Sequence, residues 1–263
     1  MSTDSYLLDN RAPDAGTRFA ALSALFDGVT ERHVDGIGVR AGWRCWEIGA
    51  GGQGVPRLLA DRVGPTGYVL ATDLDVGWMS TGLPGNVEVR RHDVATDEPP
   101  EPGFDLVHAR LVLVHVPQRD EALRRMVAAL RPGGWLLIED FDVNLQPLAC
   151  VDARQEAEHR ANRVRAGFRE LLAQRGVDLA YGRTLPRLLR AAGLTDVAAD
   201  AFTPVALPAA TTLEIANVRQ VEAALISHAR VSADELDAHL RAVAAGQLDI
   251  ATPPLVSAWG RRP

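Results

Sequence analysis

A chain of 263 residues, 47% hydrophobic and 24% charged, has ordinary globular composition and the length for one large domain with a well-buried core, or at most two small ones. Its net charge of −6 disfavours a nucleic-acid partner, which would require a clustered basic footprint. No apolar run approaches the roughly 20 residues that span a bilayer, and Met1-Ser2-Thr3-Asp4-Ser5 lacks the basic start and apolar stretch of a signal peptide, so no membrane partner and a cytoplasmic location are expected. Cys45 and Cys150 give no disulfide framework and no metal-ligand spacing, and read as small buried hydrophobes.

Phe19, Leu22, Leu25 and Phe26 fall at helical spacing and predict a helix over Arg18 to Asp27, followed by a second over Thr30 to Ile37. Core alternation begins at Trp43, with a strand, a glycine-rich turn, a helix over Val55 to Val63 and an apolar run from Tyr68 to Thr72 that ends at Asp73. A short third strand, Val87 to Arg90, leads to His92-Asp93-Val94, and a fourth runs from Phe104 to His108. The next helix, about Asp120 to Leu130, presents Leu123, Met126, Val127 and Leu130 to the sheet. Pro132-Gly133-Gly134 then stops that helix and starts a fifth strand, Trp135 to Glu139.

Val151 to Arg175 reads as a long charged helix or helix pair forming a partly exposed cover. Leu185 to Ala192 is an amphipathic helix ended by Gly193, and Thr195 to Phe202 is the sixth strand. Thr211 to Ala245 is helical again, broken near Val231-Ser232, where Ser232 is an N-cap with Glu235 three residues on. A last strand covers about Leu255 to Gly260. The expected organisation is a single domain over 1–263: a helical cap (1–38), a cofactor-binding core (39–146), helical lid insertions (147–184 and 208–248) and a terminal strand (249–263).

The most informative stretch is Cys45-Trp46-Glu47-Ile48-Gly49-Ala50-Gly51-Gly52-Gln53-Gly54. Glycines at a strand-to-helix turn let the backbone fold tightly and approach a ligand. Asp73, about 20 residues on, stands where a carboxylate takes ribose hydroxyls, so the turn points to an adenosine-containing cofactor. Gly49, Gly51 and Gly54 satisfy the dinucleotide spacing G-x-G-x-x-G, but Glu47 would repel a pyrophosphate and welcome a cationic amino-acid tail. Phe104-Asp105-Leu106-Val107-His108-Ala109-Arg110 ends where the same ligand could be met, and Leu130 to Ile138 makes the helix-to-strand corner.

From Tyr6 to the terminal Ser257-Ala258-Trp259-Gly260-Arg261-Arg262, this ensemble resembles the class I S-adenosylmethionine-dependent methyltransferases, particularly the small-molecule enzymes of actinobacteria. The resemblance implies an α/β fold: a Rossmann-like, doubly wound, mostly parallel seven-stranded sheet with helical lid insertions and an N-terminal helical cap. It implies S-adenosyl-L-methionine as cofactor, with Glu47 toward the ammonium of its tail, directly or through water. Gly49, Ala50 and Gly51 would offer backbone groups, Asp73 with Leu74 the ribose contact, Asp93 and Val94 the adenine contact, and Arg110 the methionine end. Gln53 departs from the family's usual glycine.

At the acceptor, His115 beyond the fourth strand is the candidate general base, with structural packing as the competing reading. Asp140 and Asp142 could orient a polar acceptor or support His115. A metal is not expected, because His108-Ala109-Arg110 replaces the acidic ligand that metal-dependent catechol-type relatives carry. Tyr6, Phe19, Trp78 and Phe141 could wall an aromatic acceptor. The reading is methyl transfer by in-line displacement to a small, largely apolar natural product, with an indole or phenol attractive because enzymes with a similar Tyr-Leu-Leu-Asp-Asn segment methylate aromatic rings. A nicotinamide-dependent oxidoreductase and a catalytically silent cofactor-binding protein are the alternatives, and a homodimer is left open.

Overall fold

In a computed structural model, residues 7, 8, 10, 12, 14–79, 81–228 and 231–263 are described. Seven strands form one sheet: β1 (Arg44–Ile48), β2 (Tyr68–Asp73), β3 (Val87–Arg91), β4 (Phe104–Arg110), β5 (Leu130–Phe141), β6 (Thr195–Phe202) and β7 (Leu255–Arg261). Eight α-helices accompany them: α1 (Ala15–Ile37), α2 (Gly54–Val63), α3 (Arg119–Ala129), α4 (Glu156–Gln174), α5 (Leu185–Ala191), α6 (Pro208–Gln220), α7 (Glu222–His228) and α8 (Ala233–Ala244). None of the described helices is long and apolar enough to cross a membrane.

The strand order is β3-β2-β1-β4-β5-β7-β6, with β1 to β5 parallel and β7 antiparallel to both its neighbours. Central strands covered on both faces should be apolar throughout. β1 follows this rule at Cys45, Trp46 and Ile48 and departs from it at the buried Glu47, and the edge strand β3 inverts it with exposed Glu88, Arg90 and Arg91. The order reverses between β1 and β4, which places the glycine-rich turn at the switch point where open α/β sheets bind ligands.

The corner after α3 is tight. Gly133 has φ +77°, and a Cβ on Gly134 would stand 2.8 Å from the Phe104 carbonyl oxygen. The helix ends at Ala129 and β5 starts at once, five residues earlier than the alternation from Trp135 indicates.

Two helical expectations are corrected. The N-terminal segment is one 23-residue helix, α1, rather than two. Gly28 costs such a helix about 1 kcal/mol, but Leu25, Phe26, Val29, Thr30, His33 and Val34 are all buried along one side and carry the helix past it. The stretch over Thr211 to Ala245 contains two breaks rather than one, the additional one at Val221, the C-cap of α6. The break at Ser232 is where the sequence places it, and its side chain and that of Glu235 cap the start of α8 reciprocally.

Phe26 holds α1 to the sheet. Its ring is fully buried and meets Phe141 of β5 and Phe202 of β6 edge-on, with centroids 5.6 and 6.4 Å away. Phe26→Ala is expected to cost about 3–5 kcal/mol, read as a lower urea midpoint at unchanged slope. A loss under about 1 kcal/mol would mean that α1 is held by other contacts.

Candidate active site

A cavity of about 550 Å³ opens at the carboxyl ends of β1, β2, β4 and β5. Its floor is the turn after β1. Gly49 and Gly51 have φ of +64° and +62°, and a Cβ on Gly51 would press to 2.8 Å from the Phe19 ring. Side chains at either position would strain the backbone and collide with the walls, Val112 over Gly49 and Phe19 over Gly51.

Asp73 ends β2 within this floor. Its Oδ2 accepts from the Gly51 amide at 2.9 Å and its Oδ1 from the Asp75 amide at 3.0 Å. Burial pushes its carboxyl upward, and the backbone amides offset part of that shift. Leu74, Asp75, Asp93, Val94 and Arg110 also line the cavity, as do Gly49, Ala50 and Gly51. Asp93 is steadied by the Ala95 amide at 2.9 Å. Arg110 is bound to Asp27 at 2.7 Å and to Thr30 at 3.0 Å, both on α1. Gln53, the departure from the usual glycine, turns away to the Thr81 carbonyl at 2.7 Å.

The far half of the cavity is apolar. Leu22, Leu111, Val112, Phe141, Val143, Phe168, Leu172, Leu213, Val218 and Ile250 line it, contributed by α1, the segments after β4 and β5, α4, α6 and the approach to β7. Phe19 and Phe141 are therefore on the wall. Trp78 does not line the cavity but backs Phe19, with ring centroids 6.2 Å apart. Tyr6 lies outside the described residues.

His115 ends a short 3₁₀ turn (Leu113–His115) after β4 and lines the cavity. Burial, reinforced by the charges of Arg18 and Arg119, lowers its pKa to about 4, so the imidazole is neutral near pH 7. Asp140 near the end of β5 and Asp142 just after it do not line the cavity. Asp142 is engaged by Arg183, whose Nε and Nη2 lie at 2.5 and 2.6 Å, and by the Leu145 and Arg183 amides. Asp140 is fully buried, and burial drives its carboxyl well toward the neutral form. Among the described residues, no three His, Cys, Asp or Glu side chains converge to hold a metal ion.

Glu47 sits apart from these residues. It is buried behind the floor and does not line the cavity. Its Oε2 meets Nδ1 of His108, its register partner on β4. His108 Nε2 lies 3.2 Å from Glu139 Oε2, and Glu139 also receives Thr30, Ser257 (2.7 Å) and His33 (3.2 Å). His33 reaches on to Asp200 at 3.1 Å, where Arg32 closes the chain at 2.8 Å. Burial lowers the basicity of His108, but the two carboxylates outweigh it and raise its pKa to about 9. Burial likewise opposes ionisation of Glu139, yet the two imidazoles hold it below the usual carboxylate range.

Two cavity residues went unread in the sequence. Arg165 of α4 and Glu214 of α6 are buried and paired at 2.6 Å, with His239 of α8 3.1 Å from the other Glu214 oxygen. Burial raises the Glu214 pKa, but Arg165 and His239 bring it down to about 2. The signal was present, because Arg165 interrupts the apolar stripe Ala161, Val164, Phe168, Leu172, and Glu214 interrupts Ala210, Leu213, Val218.

The fold and the cavity together define an α/β protein built around a nucleoside-type cofactor. From residue 17 to residue 199 the sequence matches the model of the methyltransferase domain family, and the chain belongs to that family. It is 31% identical to methyltransferase str2 of Strobilurus tenacellus over 177 residues, which is 66% of this chain and 62% of that protein. It is 34% identical to the ubiquinone/menaquinone biosynthesis C-methyltransferase UbiE of Pseudomonas savastanoi over 112 residues, 40% of this chain and 44% of the other. The chain thus spans less than two thirds of the length of these curated relatives. In structure it is similar to the phosphoethanolamine N-methyltransferase 2 of Haemonchus contortus, solved with S-adenosylhomocysteine, at a TM-score of 0.60 and 18% identity, over 98% of this chain and 60% of that one. The fold is that of the class I S-adenosylmethionine-dependent methyltransferases.

The paired imidazole makes stability depend on pH. His108 rises from an ordinary 6.5 to about 9 on folding, so its contribution is complete below about pH 6.5 and lost as pH rises through 9. The chain contains no lysine and Tyr68 is pushed up to about 12. Burial lowers the basicity of His33 in the same network, but Glu139 and Asp200 outweigh it, so His33 is also raised and acts in the same direction. The melting temperature is expected to fall steadily between about pH 7 and pH 10. A flat profile would show that His108 is not an imidazolium.

Proposed function

We propose that this protein transfers a methyl group from S-adenosylmethionine to a small, largely apolar, aromatic acceptor of the indole or phenol type. The observation that carries the reading is the continuity of one cavity from the glycine turn and Asp73 to an apolar chamber under α4 and α6. The residues fit the cofactor: a glycine floor admits close approach, a buried carboxylate with further lone pairs faces the cavity for vicinal hydroxyls, and Asp93 with Val94 suits an adenine edge. When bound, the cofactor supplies an electrophilic methyl on a sulfonium with a good leaving group. The chain's own work is then to hold the nucleophile in line and exclude water, an effect worth several kcal/mol.

The relatives are named for ubiquinone/menaquinone biosynthesis in one and phosphoethanolamine in another, so the acceptor class rests on the chamber itself. Its wall is mostly apolar, with a few polar side chains set into it: Arg165 and Glu214, Asn217 one turn along α6, and His115, Arg18 and Thr252. That supports a ring bearing one hydrogen-bonding group, such as an indole N–H or a phenol O–H. His115 is neutral and on the wall, the state needed to receive a proton. Asp142 has no part in this, because Arg183 holds it elsewhere.

Calorimetric titration with S-adenosylhomocysteine, NAD and NADP is the first test. Binding of the first alone is expected, and Asp73→Ala should weaken it by about tenfold or more. Binding of a dinucleotide instead would replace the reading with an oxidoreductase. With an indole or phenol acceptor in hand, His115→Ala is expected to lower kcat by about 100-fold. Unchanged turnover at every pH would remove His115 from the chemistry and leave the cofactor reading intact.

A further inference from the structure

Two carboxylates flank His108, and they are satisfied very unequally. Glu139 receives hydrogen bonds from Thr30, His33, His108 and Ser257, which fills the roughly four acceptor sites of a carboxylate. Glu47 receives one, from His108 to Oε2, and among the described residues no hydrogen bond reaches Oε1. A carboxylate buried with most of its capacity unused is expensive. Glu47 is also next to Ile48 and Gly49, which line the cavity at the end of β1. One carboxylate is thus saturated and faces the protein interior, and the other is under-used and stands one residue from the cavity wall at Ile48.

On the cofactor reading above, we propose that His108 is a positioning residue for the cofactor's amino-acid tail: it holds the Glu47 carboxylate by one oxygen and leaves the other to the tail's ammonium. The imidazole cannot rotate away, because Glu139 grips its second nitrogen and is itself fixed from α1 and β7. Burial pushes the Glu47 carboxyl upward, and the His108 imidazole opposes that push, favouring the charged form that an ammonium ion binds. Arg110, the nearby cation that also lines the cavity, gives its hydrogen bonds to Asp27 and Thr30 and acts on Glu47 only by its charge, so His108 is the side chain that grips Glu47.

The test compares S-adenosylhomocysteine with 5′-methylthioadenosine, which keeps the adenosine and sulfur but lacks the tail. By calorimetry on the whole protein, His108→Leu is expected to weaken the first by about ten- to a hundredfold and the second by no more than about twofold. Glu47→Gln should show the same pattern, and the double variant should lose no more than Glu47→Gln alone. Equal weakening of both ligands, or of neither, overturns the proposal while the cofactor reading survives. If the wild-type protein binds neither ligand, both fall. Should His108→Leu fail to fold, the ring nitrogens of His108 in the wild-type protein, followed by ¹⁵N NMR, decide the matter. A shift with S-adenosylhomocysteine and none with 5′-methylthioadenosine is expected, and the same response to both overturns it.

Discussion

Carboxylates and imidazoles are buried between α1 and the sheet, and such an arrangement persists only when its protons and lone pairs are matched. His33 on α1 must reach both Glu139 and Asp200, while Thr30 joins Glu139 to Arg110. These contacts fix the helix in rotation and in height, because a displaced helix would strand charges at about 3–5 kcal/mol for a broken pair. Phe19 lies 14 residues from His33 on the same 23-residue helix. A rigid helix carries the constraint that far, roughly 21 Å at 1.5 Å per residue. The polar seam at one end therefore sets the aromatic wall over the glycine turn at the other.

The chamber has a second seam of the same kind. Arg165, Glu214 and His239 come from three different helices, and Arg165 also donates to the Ala251 carbonyl at 3.2 Å. α4, α6 and α8 are tied to one another and to the approach to β7 at a single buried point. Arg18 adds a tie from α1 to α6 through Gln220 at 3.1 Å. The cover over the apolar half is thus registered by charge, while its area is supplied by Leu, Val and Phe. Apolar packing alone tolerates sliding, and a buried ion pair penalises it.

Most of the fold was legible because its signals are local. Buried parallel strands read as short apolar runs, and glycines stand where φ must be positive, so β2 and β6 begin and end where the sequence places them. The continuity of α1 was not legible, since Gly28 is a helix-weakening residue whose effect is overridden by tertiary burial. Asp73, Asp93 and His115 were legible because strand ends deliver them to the switch point. Asp142 has the same local credentials and a different fate, decided by Arg183, 41 residues away. No local pattern encodes that partner.

Glu47 shows where the boundary of legibility lies. Its position before the turn is a sequence property, but its environment is set by His108, 61 residues on, and by Glu139 and α1 beyond. Burial pushes the Glu47 carboxyl toward neutrality, and the paired imidazole opposes that push. His115 is half-buried on the cavity wall and also loses solvation there, yet it faces the charges of two arginines rather than two carboxylates. The same residue type is therefore protonated behind the cofactor floor and neutral on the chamber wall near pH 7. Burial alone would make both neutral, so the sign of the neighbouring charges is what separates a residue suited to hold a carboxylate from one suited to receive a proton.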